Sequence, residues 1–152
     1  MRRVISVNIL FVCTGNTCRS PIAEAILKSK QVENISVRSA GIYAMPYAEM
    51  SAHAKQVLDE ANILHQHQAT QLSSTEIEWA DLILTMTTSH RDHILVTFPS
   101  QEQKVFTLKE YISNNELQDV VDPYGGDKMI YEQTFQELKG LIDRLVRKIE
   151  GN

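Results

Sequence analysis

One short stretch, LFVCTGNTCRSPI at Leu10–Ile22, constrains the fold of this chain more than any other part of it. The apolar and β-branched run Val4–Val12 predicts a strand that ends at Cys13. Six residues follow, and Ser20 and Pro21 then predict the start of a helix. Ser20 is a favourable N-cap, and Pro21 suits the first helical position because its missing N–H costs nothing there. The stretch therefore predicts a strand, a tight loop and a helix N-terminus in direct succession.

The loop between this strand and this helix is suited to binding an oxyanion. A helix N-terminus points backbone N–H groups at an anion, and Gly15 and Asn16 tolerate the positive φ that a nest of N–H groups requires. These N–H groups and the guanidinium of Arg19 favour the thiolate form of Cys13, which is the nucleophilic form. Arg19 also has a planar fork that matches two oxygens of a tetrahedral oxyanion. The loop therefore predicts phosphoryl transfer through a phosphocysteine.

Three further motifs accompany this loop along the chain. RSAG lies at Arg38–Gly41, ADLILTM at Ala80–Met86 and VDPYGG at Val121–Gly126. Together with VCTGNTCRSPIAEA, they resemble the motifs of the low-molecular-weight protein tyrosine phosphatases. The similarity runs through most of the chain. It implies an enzyme that removes phosphate from phosphorylated protein side chains.

The resemblance implies a role for each residue of the site. Cys13 is the expected nucleophile and Arg19 the phosphate-binding residue. Asp122 is the expected general acid, a role that contributes roughly 10²- to 10⁴-fold in rate. Tyr124 beside it is expected to line the pocket and to stack on the substrate. The other residues expected to bind the substrate are Thr14, Gly15, Asn16, Thr17, Cys18 and Ser20. The polar positions expected to support the loop from behind are Ser39 and His67, together with Asn16 and Ser20.

Thr17 bears on the choice of substrate. In many tyrosine-specific members of the family the corresponding residue is apolar and branched, which gives an aromatic ring a wall. Thr17 instead resembles the bacterial protein arginine phosphatases, whose loop also reads CTGNTCRS. A hydroxyl at this position can hydrogen-bond a polar guanidino group, and Asp122 would also pair with the positive phosphoguanidinium. The resemblance thus implies phosphoarginine proteins as partners, with phosphotyrosine proteins as the alternative.

Composition and charge narrow the remaining classes of function. With 152 residues, of which 43% are hydrophobic and 22% charged, the chain suits a single domain spanning 1–152. The net charge of −4 provides no general basic surface, so neither nucleic acid nor a membrane is an expected partner. No stretch approaches the ~18 apolar residues of a membrane span. A cytoplasmic location and a monomeric state are expected.

The two cysteines, Cys13 and Cys18, lie in the same loop. No set of Cys and His residues has the spacing of a zinc site, and the chain lacks the G-x-x-x-x-G-K-[ST] motif, so no metal and no cofactor are expected. Cys18 is either inert packing or a thiol that captures an oxidised Cys13 as a reversible disulfide. Arsenate reduction on a related site would need further thiols, and no cysteine follows Cys18.

An alternative from another class is a non-catalytic module that binds phosphorylated residues or senses redox state. A binding module would keep the oxyanion loop and lose the nucleophile or the acid. A purely redox pair of cysteines would require neither an arginine nor a DPYGG loop. Because Cys13, Arg19 and Asp122 are all present, the phosphatase interpretation is favoured.

Strand patterns alternate with helix patterns along the chain, which predicts an α/β fold: a three-layer sandwich with a parallel sheet between helices. The expected strands are Val4–Val12, Ile35–Ala40, Asp81–Met86 and Lys104–Leu108. The expected helices are Pro21–Val32, Ala52–Ala61 after a Ser51 N-cap, a short one reaching Trp79 after a capping box at Ser73–Glu76, Thr88–Val96, and a long amphipathic one from Asp127. The first strand is expected to be central, with the site at its carboxyl end. The resemblance adds a four-stranded sheet of flavodoxin-like topology.

Overall fold

A computed structural model describes residues 6–113 and 119–151 of the chain, so Val4, the predicted start of the first strand, lies outside the described residues. The strands are β1 (Val7–Cys13), β2 (Ile35–Gly41), β3 (Leu82–Thr85) and β4 (Val105–Thr107). The α-helices are α1 (Arg19–Ser29), α2 (Ala52–Glu60), α3 (Ser74–Trp79), α4 (Thr88–Thr97), α5 (Leu108–Ser113) and α6 (Lys128–Glu150). A 3₁₀ helix spans Pro99–Lys104.

The strands form one parallel sheet in the order β2-β1-β3-β4, which confirms the predicted four-stranded sheet. β1 is an inner strand, as expected, and pairs with β2 through Cys13 and Gly41 and with β3 through Val12 and Thr85. After β1 the chain adds β2 on one side and then β3 on the other. In open α/β sheets such a switch point lies beside the usual ligand crevice, outside the carboxyl ends of the strands. Cys13, at the carboxyl end of β1, occupies that position.

Side chains of β1 alternate between two buried cores. Ile9, Phe11 and Cys13 face the core shared with α1, α2 and α6. Leu10 and Val12 face a second core on the opposite side of the sheet, which includes residues of α3 and α4. A strand that is buried on both faces is what a central parallel strand requires. The two cores confirm the three-layer sandwich.

Helix α1 begins earlier than predicted, and its cap differs. It starts at Arg19, with Ile22 N–H donating to the carbonyl of Cys18 (3.1 Å), so the prediction of Ser20 as the N-cap is wrong. Pro21 is the third helical residue, where its missing N–H still costs no helical hydrogen bond. The helix ends at Ser29 because the chain soon turns through Gln31, whose φ is 49°. The side chain of Ser20 is thereby free for a different partner.

The predicted fourth strand was too long, and helix α5 was missed. β4 ends at Thr107, and α5 starts at Leu108. The hydroxyl of Thr107 accepts from Glu110 N–H while the carboxylate of Glu110 accepts from Thr107 N–H, both at 3.0 Å. This reciprocal capping box outweighs the apolar pattern that suggested further strand. The Thr-x-x-Glu signature was present in the sequence.

The other helices match their predictions apart from details at their ends. Ser51 caps α2 as expected by accepting from Ala54 N–H (3.3 Å), but Ala61, expected inside this helix, lies beyond its end and is exposed. At α3 the Ser73 hydroxyl donates to the carboxylate of Glu76 (2.7 Å) without capping a backbone N–H. The apolar stripe of α6 packs on the sheet through Phe135, Leu138, Ile142 and Leu145. In the described part of the chain, no helix is both long and apolar enough to cross a membrane.

Candidate active site

Loop 14–18 joins the carboxyl end of β1 to the N-terminus of α1 and has a constrained backbone. Asn16 adopts the predicted positive φ (58°), whereas Gly15 does not, so that part of the prediction is wrong. Only one residue of the loop needs the left-handed conformation, and asparagine is among the non-glycine residues that tolerate it. Asn16 is also fully buried. The loop therefore turns on a buried side chain rather than on its glycine.

The side chain and carbonyl of Asn16 make four hydrogen bonds that hold this conformation. Its amide nitrogen donates to the hydroxyls of Ser20 (2.8 Å) and Ser39 (2.9 Å). Its amide oxygen accepts from Thr70 N–H (2.8 Å), and its backbone carbonyl accepts from His67 Nε2–H (2.6 Å). The structure thus places Ser39 and His67 in direct contact with the loop, as the sequence predicted. A fully satisfied buried network of this kind rigidifies the loop.

The same network sets the hydrogen bond of Cys13. The amide nitrogen of Asn16 can only donate, so the oxygen of Ser20 accepts there and its hydroxyl proton remains available. The nearest acceptor is Cys13 Sγ, 2.8 Å from Ser20 Oγ. A hydroxyl that donates to sulfur holds that sulfur in a fixed position. The side chain of Ser20 therefore bonds to Cys13 and Asn16 instead of capping the helix.

Arg19 is buried at the start of α1 and retains one unpaired donor. Its Nη1 donates to the carbonyl of Val120 (3.0 Å). Its Nη2 lies 3.5 Å from both the hydroxyl of Thr14 and the carboxylate of Asp122. Its Nε is buried and has no hydrogen-bond partner within residues 6–113 and 119–151. Because a buried unpaired donor is costly, this nitrogen favours a bound anion as its acceptor.

Asp122 reaches the site from the loop between residues 119 and 127. One carboxylate oxygen accepts from Tyr124 N–H (3.0 Å), and the other faces Arg19. The side chain of Asp122 is 49% exposed, so it is accessible to a substrate. Gly125, with φ of 80°, supplies the turn, and Tyr124 lies largely exposed beside Asp122. The structure thus brings Asp122 to Arg19 and places Tyr124 on the rim rather than deep in the site.

Thr17 and Cys18 complete the loop. The carbonyl of Thr17 accepts from Ser51 N–H (3.0 Å), which ties this part of the loop to the start of α2. Cys18 Sγ lies 3.2 Å from the hydroxyl of Tyr131 and 3.5 Å from that of Ser51, so its side chain faces α2 and α6. Burial, together with the hydrogen bond to Cys18, raises the pKa of Tyr131 to about 12. Tyr131 is therefore a protonated phenol at neutral pH, within hydrogen-bonding distance of the Cys18 sulfur.

Two residues of the site were not predicted. A Cβ on Gly41 would lie 2.6 Å from the carbonyl oxygen of Thr14 and 2.9 Å from Asn16 N, so the loop backbone rests directly on β2. The RSAG motif contained the signal for Gly41. His90, buried on α4, has its Nε2 2.9 Å from the hydroxyl of Thr14. A histidine on a polar helix gave no such signal, because its contact spans 76 residues of sequence.

Comparison with known proteins matches this arrangement to one family. The family model "Low molecular weight phosphotyrosine protein phosphatase" matches residues 8–152. A protein-arginine-phosphatase from Geobacillus stearothermophilus is 46% identical over 142 residues, covering 93% of this chain and 95% of that protein. The low molecular weight protein-tyrosine-phosphatase PtpB from Staphylococcus aureus is 42% identical over 137 residues, covering 90% and 95%. A solved cysteine-to-serine mutant of the YwlE arginine phosphatase, with a phosphorylated active-site serine, has a TM-score of 0.91 at 43% identity and covers 94% of this chain and 95% of that one. The chain therefore belongs to the low molecular weight phosphotyrosine protein phosphatase family.

Proposed function

We propose that this protein is a cysteine-dependent protein phosphatase and that its preferred substrates carry phosphoarginine. The observation that carries the proposal is the pairing of two features in one loop. Cys13 Sγ receives a hydrogen bond from Ser20, and the adjacent Arg19 is buried with its Nε unpaired. The first feature positions a nucleophile and the second binds the oxyanion that this nucleophile attacks.

In the first step the Cys13 thiolate attacks phosphorus and forms an S–P bond, while the bond from phosphorus to the leaving nitrogen or oxygen breaks. Asp122 gives its proton to that leaving atom, so that tyrosine departs as a neutral phenol and arginine as a guanidinium. Arg19 and the loop N–H groups hold the non-bridging oxygens, where negative charge persists throughout the transfer.

In the second step water attacks the phosphocysteine and gives up a proton to Asp122. The S–P bond breaks, inorganic phosphate leaves, and the thiolate is regenerated. The roles of Asp122 in the two steps are opposite, acid and then base, so one carboxyl completes the cycle. The side chain of Asp122 is half-exposed and 3.5 Å from Arg19, which suits it to meet both a leaving group and a water molecule.

The relatives support the choice of phosphoarginine. A protein-arginine-phosphatase shares 46% of its residues with this chain, and the YwlE mutant shows that a side chain at the nucleophile of such an enzyme accepts a phosphoryl group. The tyrosine phosphatase PtpB, at 42% identity, favours phosphotyrosine as the second candidate. Thr17, whose hydroxyl suits a polar leaving group, supports the choice of arginine. A reactive thiolate requires reducing conditions, so we place the protein in the cytoplasm.

The test is a direct comparison of two peptides that differ only in whether arginine or tyrosine carries the phosphate. We expect release of phosphate from both, with the larger kcat/KM for phosphoarginine. Cys13→Ser serves as the inactive control and excludes a contaminating phosphatase. Release from neither peptide would refute the proposed function, and a larger kcat/KM for phosphotyrosine would replace the arginine assignment with the alternative.

We expect Asp122→Asn to reduce kcat/KM, which reports the first step alone, about 10²-fold for phenyl phosphate and far less for p-nitrophenyl phosphate, because an acid helps in proportion to the basicity of the leaving group. The amide keeps the shape of the side chain but cannot act as an acid, because its N–H protons are not acidic near neutral pH. Asp119→Asn is a matched control: Asp119 lies in the same loop and accepts from Thr88 N–H (2.8 Å), a bond that orders the loop without chemistry. Equal losses on the two esters would show that Asp122 only shapes its loop.

We expect brief peroxide treatment to inactivate the enzyme reversibly. Peroxide oxidises the Cys13 thiolate to a sulfenic acid, and the Cys18 thiol then displaces water to form a disulfide, which a thiol reductant reopens. Both cysteines are free and buried in the described state. Mass spectrometry should detect the disulfide in the wild-type protein and irreversible higher oxides of Cys13 in Cys18→Ala. If Cys18→Ala recovers as completely as the wild type, Cys18 has no protective role.

A further inference from the structure

His90 is the buried titratable group next to the site that the mechanism above does not use. It is the third residue of α4, and its backbone N–H donates to the Thr87 hydroxyl that caps this helix (3.1 Å). The residue is only 7% exposed, and its Nε2 lies 2.9 Å from Thr14 Oγ1. Its Nδ1 has no partner in the parts of the chain that the structure describes. A buried polar atom without a partner is unusual in a purely structural residue.

The imidazole of His90 is neutral. Burial, followed by the positive charge of Arg19, lowers its pKa to about 4, against a smaller opposing effect of Asp119 and Asp122. The N-terminus of α4 also disfavours a positive charge at this position. A neutral imidazole carries one N–H and one lone pair, so Nε2 and Nδ1 have different roles.

The position of the single proton follows from what each tautomer leaves unpaired. With the proton on Nδ1, a buried N–H would have no acceptor. With the proton on Nε2, that N–H donates to Thr14 and only a lone pair is left unpaired, and unsatisfied acceptors are less rare in proteins than orphaned donors. The hydrogen bond therefore runs from His90 Nε2–H to Thr14 Oγ1.

This direction determines what the hydroxyl of Thr14 can do. Its oxygen accepts from His90 Nε2 and, at 3.5 Å, from Arg19 Nη2, which occupies both lone pairs. Its remaining capacity is the hydroxyl proton. Thr14 is exposed at the entrance of the loop, and the Arg19 nitrogen that contacts it also faces Asp122. The proton is thus available to a group bound by Arg19.

We propose that His90 is a positioning residue that turns the Thr14 hydroxyl into a hydrogen-bond donor for an oxygen of the bound phosphoryl group. This inference rests on the proposed phosphatase function and names a further element of the same site. Without His90, one lone pair of the Thr14 oxygen is unoccupied. The hydroxyl can then rotate, and its proton is no longer directed at the phosphoryl oxygen. His90 acts only through Thr14, so the two residues form one functional unit.

The test is a double-mutant cycle with Thr14→Val, which removes the hydroxyl at nearly constant shape, and His90→Leu. We expect each single change to lower kcat/KM for p-nitrophenyl phosphate, and to weaken binding of inorganic phosphate by calorimetry, by about tenfold, the loss of one hydrogen bond to a charged group. The double variant should have the same kcat/KM and phosphate affinity as the more impaired of the two single variants, because the second change removes nothing further. Losses that multiply, to about 10²-fold, would overturn the proposal.

A second pair of variants keeps the test decisive if His90→Leu fails to fold. The amide nitrogen of His90→Gln reaches the position of Nε2, whereas that of His90→Asn reaches only the position of Nδ1. We expect the glutamine variant to retain phosphate affinity within about threefold of the wild type and the asparagine variant to lose about tenfold. Equal affinities of these two variants would overturn the proposal.

His93→Leu is the matched control, since His93 is an exposed histidine on the same helix. This substitution should leave phosphate affinity unchanged. The two proposals fail in different ways. A wild-type protein that hydrolyses no phosphorylated substrate refutes the proposed function. An active wild-type protein with independent Thr14 and His90 effects refutes only the role of His90.

Discussion

Replacing Cys13 by serine is expected to lower turnover by about 10⁴-fold or more, because loss of the attacking group is among the largest single effects in enzymes. The affinity for inorganic phosphate should change little. Arg19 and the backbone N–H groups of the loop bind the oxyanion, whereas only the sulfur attacks it. A serine hydroxyl at this position is a far weaker nucleophile than a thiolate at neutral pH.

The measurement combines steady-state kinetics on a phosphopeptide with calorimetric binding of inorganic phosphate. Arg19→Lys provides the contrast: an ammonium lacks the planar fork, so both turnover and phosphate binding should fall. Arg38→Lys is its matched control, because Arg38 is an exposed residue of β2 whose guanidinium lies over the ring of Trp79 (4.3 Å to the centroid). A Cys13→Ser variant that retains appreciable turnover would remove Cys13 from the nucleophile's role.

Mass spectrometry offers a second readout for the same variant. A serine oxygen that attacks slowly would form a phosphate ester, and this ester should persist because an alkoxide leaves phosphorus less readily than a thiolate. We therefore expect Cys13→Ser to accumulate one phosphoryl group on the substituted serine after long exposure to an activated substrate. Phosphate found on any other residue would contradict attack from this position.

The positions of the two proposed catalytic residues in the loop could be predicted because they are close in sequence. Cys13 and Arg19 lie at the two ends of one loop, so the strand and helix signals on either side were enough to place them. Asp122 was predicted only through the resemblance of its DPYGG motif. The alternation of strand and helix patterns likewise predicted the layers and the position of β1, since both depend on periodicity and on general rules of parallel sheets.

The support of the site could not be predicted from the residues alone, because it depends on contacts between distant parts of the chain, and Ser39 and His67 were expected there only through the resemblance. The role of Asn16 is set by Ser39, His67 and Thr70, which reach it from 23 to 54 residues away. His90 contacts Thr14 only because α4 follows β3, the strand beside β1. A single sequence contains the residue types of such a network but not their partners. Ser20 shows the consequence: its local signal indicated a cap, and its actual partners are Cys13 and Asn16.

Replacing Thr17 by isoleucine is expected to lower the ratio of phosphoarginine to phosphotyrosine activity by about 10³-fold, since sites built around a hydrogen bond discriminate far more strongly than sites built on packing. The carbonyl of Thr17 is held by Ser51 N–H, so the backbone of this residue should stay in place when its side chain changes. A Cβ on Gly15 would lie 3.8 Å from Thr17 Oγ1, which places the hydroxyl beside the Gly15 backbone of the loop.

The expected change is unequal for the two substrates. A hydroxyl can satisfy a polar guanidino group, and isoleucine would leave that group unpaired. The added apolar surface gives an aromatic ring something to pack against, but packing of this size usually changes rates by only roughly 10- to 200-fold. Most of the shift in the ratio should therefore come from loss of the arginine reaction, and the smaller part from gain of the tyrosine reaction.

The measurement is the ratio of kcat/KM for two peptides that differ only in the phosphorylated residue, for the wild type, Thr17→Ile and the control Thr97→Ile. Thr97 is an exposed threonine at the carboxyl-terminal end of α4, the end of this helix away from the site, so its replacement should leave the ratio unchanged. If the wild type prefers phosphotyrosine, the arginine assignment itself fails. If the wild type prefers phosphoarginine but Thr17→Ile leaves the ratio unaltered, the hydroxyl does not select the substrate. The guanidino group would then have to be recognised by Asp122 alone, whose carboxylate would attract a positive phosphoguanidinium and not a neutral ring. The same ratio measured for Asp122→Asn separates these two sources of specificity, because charge attraction would be lost there while the Thr17 hydroxyl remained.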